Sequence, residues 1–273
     1  MRVLRISTIL CFLAVALAFC AGQAYTRFFL DETAPVISVD QATVQISVED
    51  PQSTLLDHVS AYDDHDGDLS GDVMLGGISK LITDNTAKAT FYVFDNAGNM
   101  AAASCYVQYT DYHKPTFKLG APLSFRVGSD ISLTNKLSAY DVIDGEISDS
   151  IRVSATDINI SVAGIYSFSV QVTNSLGDTA YLTLPLLITD APADAPEIFL
   201  SDYLLELPCG SQFDPGKYVV RLESEGQSLP TSEVSMDSTV DTDTPGSYYV
   251  SYQYTDSLGR TGISVLAVIV EEV

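Results

Sequence analysis

Apolar and polar residues alternate along several stretches of the chain. In the range 166–172 every second residue is apolar, and the residues between them are Ser or Gln. The same period returns in the range 248–254. Because successive side chains of a β-strand point to opposite faces, a period of two predicts strands that are buried on one face. After residue 30 no stretch sustains the period of an amphipathic helix, so the sequence predicts an all-β protein.

Turn and strand signals recur along the chain. At three places along the chain, a strand-like stretch is followed by a turn that contains glycine. About 60 residues before each of these turns, a proline opens another strand-like run. Glycine supplies the positive φ of tight turns, and proline suits an edge strand because it has no N–H to pair. The turns are Asp95–Asn99, Asn174–Asp178 and Asp256–Arg260, and the prolines are Pro35, Pro115 and Pro196. Three β-sandwiches of about 80 residues in series are therefore predicted, at 31–111, 112–190 and 191–273, joined by short linkers like beads in a row.

The first 30 residues have a different character. Arg2 and Arg5 precede a run, residues 6–26, that carries no charge. This pattern predicts a hydrophobic helix that is either a signal peptide or a membrane anchor, and residues 6–26 would cross the bilayer only if the segment is uncleaved. A lipoprotein acylated at Cys20 is a third interpretation, which the bulky Phe19 disfavours. The signal peptide and the anchor both place the rest of the chain outside the cytoplasm.

Charge and cysteine content narrow the possible partners. The chain has 36 Asp and Glu against 13 Lys and Arg, a formal charge of -23. Such a surface repels nucleic acid and anionic lipid headgroups, so neither is expected as a partner of the folded part. It would attract cations or a basic surface, although acidity also simply keeps an exposed protein soluble. Cys105 and Cys209 fall in different units, so no disulfide is expected within a unit.

An acidic segment in the first unit is the constellation with most chemical promise. Its candidate ligands are Asp63, Asp64, Asp66, Asp68 and Asp72. The range 31–79 holds eleven acids and no Lys or Arg. Crowded carboxylates either splay into solvent or gather a hard cation, and Ca²⁺ takes about 6–8 oxygen ligands. The sequence therefore leaves two interpretations, a solvated loop with an Asp-Gly turn and a Ca²⁺ site that lacks the distal Glu of an EF-hand.

The acidic segment returns in the second unit, where Ser60–Ser70 is matched by Ser138–Ser148. The equivalent candidate residues are Asp141, Asp144 and Glu146, with two apolar residues among them, so Ca²⁺ is less expected there. The third unit offers no candidate. His65 next to Asp66 has the composition of an acid–base pair, but an exposed loop His among carboxylates is more often solvated.

The repeated motifs resemble the bacterial immunoglobulin-like repeats of cell-surface proteins, which are related in pattern to hyalin-type and cadherin-like modules. The resemblance rests on the opening proline and its strand, on the Ala-Tyr-Asp…Asp-Gly segment, and on the closing Asp-Asn-Ala-Gly-Asn turn. It covers 31–273, and is best in the first unit and weakest in the third. It implies three tandem immunoglobulin-like sandwiches after the N-terminal helix.

Function is expected from this resemblance to be non-catalytic. The implied role is a stalk, spacer or adhesion module at the bacterial cell surface, membrane-anchored or secreted, with an unidentified protein or glycan as partner. Two alternatives stay open, a Ca²⁺-binding adhesin and a carbohydrate-binding module of the envelope. No catalytic residue and no cofactor is expected, Ca²⁺ excepted, because the sequence offers neither a nucleophile with a nearby base nor a Gly-x-Ser-x-Gly motif.

Overall fold

The computed structural model describes residues 2–29, 31–133 and 136–272. Apart from one N-terminal helix, the described residues form strands, turns and short 3₁₀ segments, so the predicted all-β class is confirmed. The 3₁₀ segments are Gln52–His58, Ser70–Asp72, Ser148–Ser150, Pro215–Tyr218 and Thr231–Glu233.

The predicted N-terminal helix is present as α1, Arg2–Phe29. The ends of the predicted segment, Met1 and Leu30, lie outside the described residues. Within the part of the chain that the structure describes, no helix combines the length and the apolar character that crossing a bilayer requires.

The chain forms two compact units, Met1–Tyr112 and His113–Val273. The first contains the strands of the first predicted sandwich, here called repeat 1, and the second contains those of repeats 2 and 3. Among the residues described, each repeat has seven strands in two sheets, and each of these sheets uses strands of one repeat alone.

Repeat 1 shows the common plan. Its strands are β1 (Val36–Val39), β2 (Thr43–Ile46), β3 (Val59–Asp63), β4 (Gly67–Asp68), β5 (Met74–Ile78), β6 (Thr86–Phe94) and β7 (Met100–Tyr109). One sheet has the order β1-β3-β4 and the other β2-β7-β6-β5. The opening proline run therefore becomes an edge strand, as predicted.

Repeats 2 and 3 follow the same order. Repeat 2 contains β8 (Thr116–Leu119), β9 (Ser124–Arg126), β10 (Leu137–Asp141), β11 (Gly145–Glu146), β12 (Arg152–Thr156), β13 (Gly164–Thr173) and β14 (Thr179–Thr189). Repeat 3 contains β15 (Glu197–Leu200), β16 (Leu204–Pro208), β17 (Val219–Ser224), β18 (Gln227–Leu229), β19 (Ser235–Ser238), β20 (Gly246–Thr255) and β21 (Thr261–Glu271). In every repeat the second strand pairs in parallel with the last, while the other pairings are antiparallel. The first strand of each repeat thus lies in the three-stranded sheet, and the second strand lies in the four-stranded sheet. There the second strand forms the edge next to the last strand of the repeat.

The cores form from the inward positions of the alternating strands. In β6 the residues Ala87, Ala89, Phe91 and Val93 are fully buried and alternate with more exposed neighbours. Cys105, on the partner strand β7, is also buried. Burial raises the pKa of its thiol, so this cysteine serves as a small core residue and is not a reactive thiol.

Candidate functional site

Four carboxylates from separate parts of repeat 1 converge on one point. They are Asp31, Asp63, Asp66 and Asp95, called the acidic cluster below. Asp31 precedes β1, Asp63 ends β3, Asp66 lies in the turn between β3 and β4, and Asp95 follows β6. One carboxylate oxygen of each lies within 4.8 Å of those of the other three.

Strand alternation explains why Asp63 points inward. Along β3 the residues Val59, Ala61 and Asp63 are buried, and Asp63 is only 2% exposed. Its Oδ1 accepts hydrogen bonds from the main-chain N–H of His65 at 2.8 Å and of Asp66 at 3.1 Å. These bonds shape the turn and direct the carboxylate of Asp66 toward the same point.

Two asparagines connect the loops of the cluster. Asn96 donates its main-chain N–H and its Nδ2 to Asp66, at 2.8 and 2.6 Å. Asn99 donates in the same way to Asp95, at 2.7 and 2.8 Å, and its Nδ2 also reaches the main-chain oxygen of Asp31 at 3.1 Å. The acidic cluster is therefore held by a network of neutral amide donors that adds no positive charge.

Asp31 has one oxygen that is satisfied and one that is not. Its Oδ1 accepts the Thr33 hydroxyl at 2.6 Å and the Thr33 N–H at 2.9 Å. These two bonds hold the pKa of Asp31 below its usual value, although partial desolvation opposes them. Its Oδ2 is buried and has no hydrogen-bond partner among the described residues, while the side chain is 11% exposed. A buried acceptor left unpaired is costly, so this oxygen calls for a partner.

His65 lies beside the acidic cluster. Its Nδ1 is 3.4 Å from Asp31 Oδ1, and its side chain is 63% exposed. Asp66, its neighbour in sequence, instead bonds to Asn96. Four carboxylates with weak cationic compensation form a strongly negative site of oxygen donors, the ligand type that hard divalent cations prefer.

The structure brings together some of the predicted ligands and not others. Asp63 and Asp66 are in the acidic cluster, whereas Asp64, Asp68 and Asp72 are not. Asp68 turns to Ser70, whose N–H and hydroxyl it accepts at 2.9 and 2.6 Å, and these bonds lower the pKa of Asp68. Asp64 and Asp72 are exposed.

Repeat 2 keeps the hairpin and changes its partners. Asp141 Oδ1 accepts the N–H of Ile143 and of Asp144 at 2.9 and 3.0 Å, as Asp63 does in its own turn. Asp144 is bonded to Ser175, and Glu146 accepts the Ser148 hydroxyl. The predicted residues Asp141, Asp144 and Glu146 thus lie on one hairpin, each with its own hydrogen-bond donor.

Sequence reasoning missed Asp31 and Asp95 as members of the site. Asp31 stands four residues before Pro35, and Asp95 opens the Asp-Asn-Ala-Gly-Asn turn. Both motifs recur along the chain and served to define the repeat. Turns that recur in each repeat lie at the ends of paired strands and can therefore meet in the fold. Acidic residues in such turns were the sequence signal that could have identified Asp31 and Asp95 as members of the site.

Comparison with known proteins gives a family match and a distant relative. Residues 202–270 match the family model described as "Bacterial surface protein, Ig-like domain". A stretch of 127 residues is 32% identical to pesticidal crystal protein Cry22Aa of Bacillus thuringiensis, covering 45% of this chain and 17% of that protein. The chain therefore spans about a sixth of the length of this relative.

Solved structures show looser likenesses. The M60 catalytic domain with the CBM51-1 and CBM51-2 domains of Clostridium perfringens ZmpB is 12% identical, with 89% of this chain and 31% of that chain covered and a TM-score of 0.25. The extracellular domain of protocadherin GammaB4 is 12% identical, with 89% and 52% covered and a TM-score of 0.21. The lipoprotein BT2262 of Bacteroides thetaiotaomicron is 11% identical, with 56% and 98% covered and a TM-score of 0.23. No function follows from scores of this size.

The family match falls on repeat 3, where the sequence resemblance was weakest. Repeats 1 and 2 have the same seven strands in the same two-sheet order. Residues 202–270 of repeat 3 match the immunoglobulin-like domain family of bacterial surface proteins, and the chain contains three tandem immunoglobulin-like repeats that share one strand order.

Proposed function

We propose that this chain is a non-catalytic spacer of the bacterial cell exterior, in which repeats 2 and 3 form one stiff element. One observation carries the proposal. Ala267 belongs to β21 of repeat 3, yet it is 1% exposed and lies in the core cluster of repeat 2.

Apolar packing across the joint supports this role. Strand β14 of repeat 2 contacts β20 and β21 of repeat 3. Leu204 and Ile269 of repeat 3 pack against the core of repeat 2, and Tyr203 packs against both cores. Domains in one chain usually move relative to each other unless their interface is large and apolar, so a shared core favours a fixed angle.

The centre of the joint is closely filled, although two open grooves of about 580 and 620 Å³ flank it. At the centre, the cavity bounded by residues that include Leu123, Leu187 and Tyr203 measures about 10 Å³. This is room for about one water molecule at most. Under this proposal, repeats 2 and 3 are not independent beads on a short linker, because side chains of both repeats contribute to one core.

Spin labels can measure the stiffness of the joint. Val153 of repeat 2 and Val220 of repeat 3 are both exposed. After the native cysteines are replaced, each of these valines can be changed to cysteine and spin-labelled. We expect one narrow distance distribution between them. Ala267→Asp should broaden it by forcing a charge into the shared core, whereas Ala155→Asp, the same change at an exposed position, should not.

A broad distribution in the protein without the Ala267 change would contradict a stiff spacer. Tyr203→Ala gives a milder test, because it removes packing without burying a charge. Far-UV circular dichroism shows whether either variant keeps its strands.

The partner of the array is proposed to be a protein or glycan of the cell surface. The acidic character of the chain and the family match of repeat 3 support that setting. Binding of the full chain to a glycan array, compared with capture on surface proteins, would separate an adhesive spacer from a carbohydrate-binding module.

A further inference from the structure

Repeats 1 and 3 each have a cluster of carboxylates near the turn that follows their sixth strand, and the two clusters lie at equivalent positions. In repeat 1 this turn begins at Asp95 and ends at Asn99, and in repeat 3 it begins at Asp256 and ends at Arg260. Asn99 donates its main-chain N–H and its Nδ2 to the two oxygens of Asp95. Arg260 donates its main-chain N–H at 2.9 Å and its Nε at 2.7 Å to the two oxygens of Asp256. The two residues begin from the same position and make equivalent bonds.

Arg260 then extends further than an asparagine can. Its guanidinium pairs with Asp194 and, at 2.8 Å, with Glu225. Asp194 lies in the segment ahead of β15, as Asp31 lies ahead of β1. Glu225 lies in the turn between β17 and β18, as Asp66 lies between β3 and β4. The guanidinium is thus surrounded by carboxylates from three of the four places that supply the acidic cluster.

Register supports the equivalence of the two sites. Val36 pairs with Tyr62, so Asp63 follows opposite the residue before β1. Glu197 pairs with Glu223, so Ser224 occupies the matching place in repeat 3. Where repeat 1 has the carboxylate of Asp63, repeat 3 thus has the neutral hydroxyl of Ser224. Three carboxylates of repeat 3 therefore surround one covalently attached cation, the Arg260 guanidinium.

Repeat 1 has the acids of this site without the tethered cation. Asn99 contributes an amide and no charge, and the range 31–79 has no Lys or Arg. The buried Oδ2 of Asp31, unpaired among the described residues, independently calls for a positive partner. These two observations, the tethered cation of repeat 3 and the unpaired oxygen of repeat 1, point to the same ligand.

We propose that repeat 1 binds a divalent cation, Ca²⁺, through Asp31, Asp63, Asp66 and Asp95, in the place that the Arg260 guanidinium takes in repeat 3. The carboxylate donors favour a hard ion that accepts many oxygen ligands. The ion ties the segment ahead of β1 to the two loops, as Arg260 ties the segment ahead of β15. This inference does not depend on the stiffness of the joint between repeats 2 and 3.

Direct binding tests the site. Titration of the metal-free full chain with Ca²⁺ by calorimetry, with Tb³⁺ luminescence as a second probe, should show one ion at the acidic cluster. Asp31→Asn and Asp95→Asn should each weaken binding about tenfold or more, because ligand charge sets affinity in such sites. Asp64→Asn removes the same charge outside the cluster and should keep the affinity. Binding that is equal in all these variants, or absent in the unchanged protein, would overturn the site.

An exchange of side chains separates a specific cation site from general acidity. Asn99→Arg should supply a tethered cation, abolish Ca²⁺ binding, and raise the melting temperature of repeat 1 in chelator. Arg260→Asn should lower the stability of repeat 3 at low Ca²⁺. Unchanged Ca²⁺ affinity in Asn99→Arg would contradict the equivalence of the two positions. Binding of Zn²⁺ but not Ca²⁺, lost in His65→Ala, would overturn the choice of ion.

Discussion

Asn174 Nδ2 donates a hydrogen bond to Asp141 Oδ2 over 3.0 Å in repeat 2. Asp141 is fully buried and Asn174 is 6% exposed. The corresponding residues of repeat 1 are two acids, Asp63 and Asp95. One change from Asp to Asn thus removes a charge and provides a donor, so this pair in repeat 2 is satisfied without an external cation.

Restoring the acid at position 174 should therefore destabilise repeat 2. In Asn174→Asp, the donor to Asp141 is lost and a second carboxylate faces a buried one, at a cost of about 1–3 kcal/mol at pH 7. The urea midpoint of unfolding, followed by circular dichroism, measures the loss.

A matched change on the surface provides the control. Asn159 is exposed and accepts the Ser161 N–H through Oδ1, and an aspartate side chain at this position would keep that acceptor. Asn159→Asp should leave the stability within about 0.5 kcal/mol of the original. An equal loss in both variants would show that added negative charge as such is responsible.

Arg260 should stabilise repeat 3 more than an ordinary surface cation does. It is 15% exposed and pairs with Asp256, which is 6% exposed. Arg260→Met leaves that acid uncompensated, and we expect the melting temperature of repeat 3 to fall by about 5 °C. Arg221→Met is the control, because Arg221 and Glu223 form a more exposed pair and the change should cost about 1 °C.

The effect of Arg260 should depend on pH. Desolvation raises the pKa of Asp256, but hydrogen bonds from the Arg260 main chain and side chain outweigh it and leave the pKa below the usual 3.8. A depressed pKa stabilises the fold above the unfolded value and loses this effect as the acid is protonated. The difference between the protein and Arg260→Met should be complete at neutral pH and shrink below pH 3.8. A difference that stays constant from neutral to strongly acidic pH would assign the loss to packing of the Arg260 stem.

Local patterns predicted the repeat well, because strands and turns are encoded by neighbouring residues. The alternating range 166–172 lies within β13, and the turn glycines Gly98, Gly177 and Gly259 have φ of 91, 79 and 79°. These features need only side-chain period and a residue without Cβ.

The acidic cluster could be predicted only in part, because its members are far apart in sequence. Asp63, Asp64 and Asp66 are close in the chain, yet Asp64 is exposed, while Asp63 and Asp66 meet Asp31 and Asp95 through strand pairing. Proximity in sequence overstated the role of Asp64. Long-range pairing, which alternation alone does not specify, decided which carboxylates meet.

Gly262 is required where the linker passes close to β21. A Cβ at this position would lie 2.0 Å from the carbonyl oxygen of Pro196 and 2.8 Å from its carbonyl carbon. Gly262→Ala must displace the main chain at Pro196, and we expect repeat 3 to lose about 3 kcal/mol. Urea unfolding measures this change.

Gly71→Ala is the matched control. A Cβ on Gly71 would meet no atom within 4 Å, and its φ is not positive. Its effect should stay within about 0.5 kcal/mol. If Gly262→Ala were equally mild, the linker would be free to shift and the close contact at Pro196 would have no role in stability.

Glu206 should make the stability of repeat 3 depend on pH in the opposite sense to Asp256. It lies on β16 opposite Ile269 of β21. Desolvation, followed by repulsion from Glu271, raises the pKa of Glu206 above its usual 4.5. A raised pKa means that ionisation costs more in the folded state than in the unfolded state. The stabilising contribution of the neutral form is complete below pH 4.5 and is lost as the pH rises through the folded-state pKa.

Glu206→Gln removes this ionisation. The variant should match the protein near pH ~4 and melt about 1–2 °C higher at pH ~7, a small gain because the carboxyl keeps contact with solvent. Added salt should reduce the gain by screening Glu271. Glu272→Gln, an exposed change at the chain end, should give no gain at either pH. A gain from Glu206→Gln that is the same at acidic and neutral pH would show that amide packing, and not ionisation, is the cause.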